Sequence, residues 1–186
     1  DGHYVIISTN TGTSPENRVS YIDLRDAKRT VHPLFDKADA SYNYVDNTGT
    51  TWYFQTDKDA PNGKVIALDL SAPSKWQTIL PKRTSALEYV QTAGHRIFAG
   101  YLVDAHSAVS EYDYQGKKLR DIPLPGLGEA AGFGGWPEDS TVYYSFAGYT
   151  SPGIIYSYDI ASGKSSVYRK PKVEFDSSAF ETKEVF

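Results

Sequence analysis

The chain contains no cysteine and no methionine. Without cysteine there are no disulfides, no thiol catalysis and no thiolate metal sites, and the redox compartment stays undecided between cytoplasm and periplasm. The missing methionine, with Asp1 at the start, leads to the expectation of a mature, processed or excised piece. No apolar run approaches the roughly 18 residues of a membrane span, and no signal-peptide pattern is present. Runs of like charge are also lacking. With 19 basic against 23 acidic residues, net charge −4, nucleic-acid binding has no electrostatic support. Almost nothing reads as helix, and no cofactor is expected.

What the chain does have is tyrosine, 15 of them in a 14% aromatic share, which suits pleated sheet. It also has a repeat. Asp23, Asp69, Asp113 and Asp159 recur at separations of 46, 44 and 46 residues. Each follows a β-branched residue four positions earlier (Val19, Val65, Val109, Ile155) and precedes Leu24, Leu70, Tyr114 or Ile160. A period of about 40 to 50 residues holding several short strands marks a β-propeller blade. Within each unit an alternating strand comes first: Tyr4 to Ser8, Thr51 to Thr56, Arg96 to Leu102, Thr141 to Ala147. The aspartate strand, a turn and a further strand complete it. Segments Ala40 to Asp46, Ala86 to Thr92, Glu129 to Gly135 and Glu174 to Phe186 are expected to supply first strands of blades.

The predicted architecture is all-β, with propeller blades of four antiparallel strands in a single propeller segment over 1–186. It comprises a partial blade over 1–35, blades at about 38–82, 84–125 and 127–171, and a final strand over 174–186. That last strand either closes a small four-bladed ring with the first blade or belongs to an arc of a larger propeller. In the arc, open blade faces invite self-association, because uncovered tyrosine-rich sheet faces favour pairing.

Candidate chemistry is sparse. An aspartate at a strand end accepts hydrogen bonds from backbone N–H groups two residues on, so the repeated carboxylates read as turn formers rather than a charged ring. His3, His32, His95 and His106 form no metal-ligand spacing. Asp104-Ala105-His106-Ser107 holds the triad residue types, but an extended tetrad cannot assemble a relay, and it reads as a surface loop. No G-x-S-x-G elbow occurs. The glycine-rich stretch from Gly126 to Gly135 reads as a connection between blades. Asp57 to Gly63 reads as a hairpin turn, since Leu68 stands where a calcium loop needs a bidentate Glu. Trp136 and Tyr149, on loops, offer two readings, lining a binding mouth or filling space between packed blades, and packing is the one expected.

Two stretches carry a family resemblance. One is Asn43-Tyr44-Val45-Asp46-Asn47-Thr48-Gly49-Thr50, with Phe54-Gln55-Thr56-Asp57, Ala60-Pro61-Asn62 and Ile66 to Leu70. The other is Ser151-Pro152-Gly153-Ile154-Ile155-Tyr156. Together with the opening Asp1 to Ser8, Pro15 and Asn17-Arg18, they make the chain resemble the prolyl oligopeptidases, collinearly along its whole length. The resemblance implies the second half of a seven-bladed propeller set over an α/β-hydrolase catalytic domain. That domain, absent from this chain, would hold the Ser, Asp and His of a serine-type prolyl endopeptidase, so the chain alone should be inactive. It further implies that the propeller gates access for short proline-containing peptides. In mammalian-type members the loop after the first strand brings an Arg and a Cys to the substrate pocket; the collinear positions here are Asn10 and Thr13, the candidate substrate-binding residues. The alternative reading is a stand-alone four-bladed propeller that binds a peptide or sugar in its central channel.

Overall fold

The computed structural model describes residues 2–172 together with Phe180, Thr182 and Lys183. The first sheet, β1 (Tyr4–Asn10), β2 (Asn17–Asp23) and β3 (Val31–Phe35), has three strands among the described residues; the next is β4 (Tyr42–Thr48), β5 (Thr51–Thr56), β6 (Lys64–Asp69) and β7 (Trp76–Leu80). The third holds β8 (Ala86–Ala93), β9 (Arg96–Val103), β10 (His106–Tyr112) and β11 (Lys118–Ile122). The fourth holds β12 (Glu129–Gly132), β13 (Thr141–Gly148), β14 (Ser151–Asp159) and β15 (Lys164–Arg169). Every pairing is antiparallel between consecutive strands, the meander of a propeller blade. The expected strand Glu174 to Phe186 lies outside the described residues. No helix among the described residues is long and apolar enough to cross a membrane.

The aspartates set the register. Asp23 lies opposite Tyr4, Asp69 opposite Thr51 and Asp159 opposite Thr141, at the start of the second strand of a full blade. β10 departs slightly: its ladder ends at Tyr112, paired with Ile97, and Asp113 opens the turn instead. There Asp113 N–H donates to the Lys117 carbonyl at 3.1 Å, closing a tight loop on Gly116, whose φ is +82°. Each outermost strand carries an extra residue, a bulge that increases the local twist. The unpaired residues are Leu34, Ile79, Leu119 and Tyr168. In three blades the bulge falls beside the β-branched residue four before the aspartate (Val19, Val65, Ile155). In the third it falls at Glu111.

The chain groups into two compact units, Asp1–Thr84 and Ser85–Phe186. In the first, Tyr4, Ile6 and Tyr21 of the β1–β3 sheet pack against Trp52, Phe54, Ile66 and Leu68 of the β4–β7 sheet. Three tyrosines, Tyr4, Tyr21 and Tyr44, meet the Trp52 ring edge-on at 5.0 to 5.4 Å between centroids, the arrangement the ring quadrupoles favour. In the second unit, Phe98, Val109 and Ile122 meet Val142, Tyr144, Phe146 and Tyr158, with Phe133 stacked on Tyr144 at 4.5 Å. Each large side chain removed from water this way contributes about 1.5–3 kcal/mol. Alternation places Tyr143 and Ile155 on the opposite, exposed side of the fourth sheet, where Tyr143 meets Tyr168 edge-on at 4.8 Å.

Candidate functional site

The four aspartates act on backbone. Asp23 Oδ1 accepts the Arg25 N–H at 2.9 Å, Asp69 Oδ1 the Ser71 N–H at 2.8 Å, and Asp113 Oδ1 those of Gln115 and Lys117 at 3.0 and 2.8 Å. Asp159 Oδ1 reaches one residue further, to Ser162 at 2.7 Å. The Arg25 side chain, followed by its N–H, holds the Asp23 carboxyl down to about 2. Asp69 is lowered by the Ser71 side chain and N–H, and Asp159 by those of Ser162. Donors that satisfy a carboxylate favour its charged form.

The β1–β2 loop carries both candidate substrate-binding residues. Asn10 ends β1 and Thr13 lies beyond it; both are exposed. Asn10 Nδ2 donates to the carbonyls of Ser14 at 3.1 Å and Glu16 at 3.4 Å, so what its side chain has left to offer is a carbonyl oxygen. Ser14 N–H donates to the Thr11 carbonyl at 3.2 Å and rounds off the turn. The loop's far root is Asn17, 3% exposed. Its N–H donates to Ala40 O at 3.1 Å, its Oδ1 accepts Tyr42 N–H at 2.7 Å, and its Nδ2 donates to Tyr42 O at 2.9 Å and Ser8 Oγ at 2.8 Å. One carboxamide thus satisfies both backbone groups of a buried residue on an edge strand, groups that need partners once water is excluded.

The second unit repeats this contact with other side chains. Ser107, like Asn17, stands six residues before its repeat aspartate. Ser107 N–H donates to Gly128 O at 2.9 Å and its Oγ accepts Ala130 N–H at 3.0 Å. The Ala130 carbonyl is met by the Tyr89 hydroxyl at 2.8 Å. Tyr89 reaches it across Gly100, where a Cβ would collide with the tyrosine ring. In the β4–β7 blade the corresponding position is Gly63, and its neighbour Asn62 donates through Nδ2 to the carbonyls of Arg83 and Thr84 at 3.1 and 2.7 Å.

A buried acid adds a second tie between the third and fourth sheets. Glu111 on β10 is fully buried. Its carboxylate accepts the Tyr158 hydroxyl of β14 and lies 3.4 and 3.3 Å from Nε of Arg96 and Arg120. Burial first, and then the bond to Glu111, push the Tyr158 hydroxyl well above the usual tyrosine range. The Arg120 side chain passes over Gly163 so closely that a Cβ there would strike it.

The remaining sequence candidates disperse. His32 stacks on Tyr21 at 5.2 Å, and His95, with φ +57°, forms the β8–β9 turn. No group of three metal-binding side chains gathers among the described residues. Asp104 and Ala105 are the two-residue β9–β10 turn, as a loop reading expects, but Ser107 is buried and interblade. Gly126 to Gly135 does connect blades and supplies β12; a Cβ on Gly128 would hit the Ala147 carbonyl. Asp57 to Gly63 is the β5–β6 turn, closed by bonds from Ala60 N–H to Asp57 O and from Gly63 N–H to Ala60 O, while the Asp57 carboxylate accepts Ser41 N–H at 2.8 Å. Packing was expected for Trp136 and Tyr149, and both are instead 74% and 96% exposed. Trp136 sits in a turn held by its N–H to Asp139 Oδ2, and Tyr149 tips the β13–β14 hairpin. Tyr149 lines an open cavity of about 340 Å³ with Ala105, Gly128, Glu129, Ala147 and Gly148. Sequence reasoning passed over Asn17, Ser107 and Glu111 as functional parts of the frame; the shared spacing of the first two from the aspartates was the available signal.

Comparison with known proteins gives this frame a family. The model of the prolyl oligopeptidase N-terminal β-propeller domain matches residues 1–171. The prolyl endopeptidase of Elizabethkingia meningoseptica is 36% identical over 188 residues, covering all of this chain and 26% of that protein. That of Dictyostelium discoideum is 28% identical, covering 84% of this chain and 22% of its own length. Among solved structures, a prolyl endopeptidase superposes with a TM-score of 0.87 at 32% identity over 95% of this chain and 26% of its own. Prolyl oligopeptidase B from Galerina marginata superposes with 0.88 at 25% identity, over 97% and 27%. The chain spans about a quarter of the length of the curated relatives it matches. With four sheets of consecutive antiparallel strands among its described residues, ruled by one repeated aspartate, the chain belongs to the prolyl oligopeptidase N-terminal β-propeller family.

Proposed function

We propose that this chain is the non-catalytic gating part of a prolyl oligopeptidase, a serine endopeptidase that hydrolyses short peptides after proline. Its partner in that role is an α/β-hydrolase domain bearing the Ser, Asp and His. The observation that carries the reading is the hydrogen-bonded coupling of neighbouring blades, at Asn17–Tyr42 in one unit and Ser107–Ala130 in the other. A gate that admits only thin, flexible chains has to resist being pushed apart, and bonds at the blade roots supply that resistance. Asn10 and Thr13 wall the peptide pocket: the Asn10 carbonyl oxygen accepts, while the Thr13 hydroxyl both donates and accepts. The hydrolytic chemistry, attack by a serine assisted by histidine and an oxyanion hole, belongs to the partner domain.

The test has two parts. The chain alone, incubated with a chromogenic Gly-Pro substrate, should give no turnover above a buffer blank; turnover would place catalysis in the propeller and end the proposal. In the full-length peptidase, cleavage should fall steeply as proline peptides lengthen into folded domains. Loosening the blades with Ser107→Ala should flatten that dependence, and an unchanged length dependence would remove the gating role.

A further inference from the structure

Exposed loops that carry recognition are useful only when something holds them in one shape. The β1–β2 loop is held at two levels. Inside it, Asn10 bridges to Ser14 and Glu16, and Ser14 Oγ accepts the Glu16 N–H at 3.4 Å. Beneath it, buried Asn17 fastens the end of the loop to Ala40 and Tyr42, where the next blade begins, and to Ser8 on the strand the loop leaves. The three side-chain bonds of Asn17 use both amide hydrogens and the carbonyl oxygen, so neither Asp nor Leu, though similar in size, could replace it. Asp would turn a donor toward the Tyr42 carbonyl into a buried charge; Leu would offer nothing.

We infer that Asn17 is a positioning residue for the peptide pocket: it touches no substrate, and it fixes the β1–β2 loop against β4 so that Thr13 is presented to the peptide in one arrangement. The inference rests on the reading of this loop as a pocket wall. The equivalent contact at Ser107 shows what a minimal version needs, a single side-chain acceptor for the next blade's N–H. That supplies a conservative variant, Asn17→Ser, which keeps an acceptor and loses the two donors.

Amide hydrogen exchange on the 186-residue chain reads the loop directly. Asn17→Ala should speed exchange of the Ser14, Glu16 and Tyr42 amides by roughly tenfold or more beyond any change at Ile66 and Leu68, core amides that report only the global loss of stability, and Asn17→Ser should recover part of the protection. In the full-length peptidase acting on a short proline peptide, Asn17→Ala and Thr13→Val should each raise KM several-fold with kcat within about twofold, the pattern of lost uniform binding. Loop exchange that does not respond to Asn17→Ala overturns the positioning role. Faster exchange with KM unmoved, where Thr13→Val still raises it, also overturns it, because the loop then binds without being held. If both variants leave KM unchanged, the pocket-wall reading fails and the inference falls with it. A kcat loss equal to the loss in kcat/KM would make Asn17 part of the transition-state machinery and overturn it as well.

Discussion

Tyr42 and Ala130 occupy the same place in different units, near the start of the first strand of a full blade, and both are buried with an N–H and a carbonyl to satisfy. In the first unit one residue, Asn17, answers both groups. In the second the task is divided: Ser107 takes the N–H, Tyr89 takes the carbonyl, and Gly100 gives up its side chain so that Tyr89 can pass. What the repeat keeps is therefore the backbone requirement and not the residue. The second unit also carries the buried Glu111 cluster, at the position where its bulge has moved. Its blades are tied twice, and the first unit relies on Asn17 and the aromatic contacts around Trp52.

That difference can be broken piece by piece. Glu111→Ala should have the largest effect, about 3 kcal/mol lower stability by urea denaturation, because it leaves the buried Tyr158 hydroxyl without an acceptor. The figure sits at the low end for a buried ion pair because both arginines are about a third exposed. A loss under about 1 kcal/mol would show the cluster to be incidental. Asn17→Ala follows at about 2 kcal/mol, since two buried backbone groups lose their partners at once. Ser107→Ala and Tyr89→Phe should each cost about 1 kcal/mol, one orphaned group apiece. The sharp form of the comparison is a sum: the two small losses together should approach the single large one. A Ser107→Ala variant as damaged as Asn17→Ala would mean that the division of labour is wrong.

The smallest effect is on acid stability. Asp23 titrates near 2 when folded against an ordinary value of 3.8, so its contribution is complete above about pH 4 and is lost as the pH falls toward 2. Asp69 and Asp159 shift in the same direction. Asp23→Asn should lower stability slightly at neutral pH and flatten the acid limb of the stability profile between about pH 4 and 2. An acid limb identical to that of the parent chain would show that the Arg25 contact does not survive in solution.

Much of the blade order was legible because its signals are local. Alternation in Thr141 to Ala147 and the turn chemistry after each aspartate need only a few adjacent residues, and the strand β5 matches the sequence reading residue for residue. Long-range satisfaction was not legible. Asn17 meets Tyr42 across 25 positions, and its spacing from Asp23 gives only its place in the repeat and not its partner; Glu111 meets Tyr158 across 47, and no local pattern distinguishes it from an ordinary polar strand residue. The exposed Trp136 and Tyr149 were misread for the converse reason. Large aromatics are usually found inside, and only the turn at Asp139 and the hairpin tip leave these two exposed among the described residues.

The aspartate opposite the start of the second strand has an evolutionary consequence. Each blade reads its own register from its own turn, and within each unit one part of the contact with the neighbouring blade is a pair of backbone groups that different side chains can serve. A gene segment of about 45 codons could therefore be copied or exchanged with the backbone tie kept, provided that something six residues before the aspartate, or close beside it, can still reach across. The changes left to its neighbours are those in the shared core.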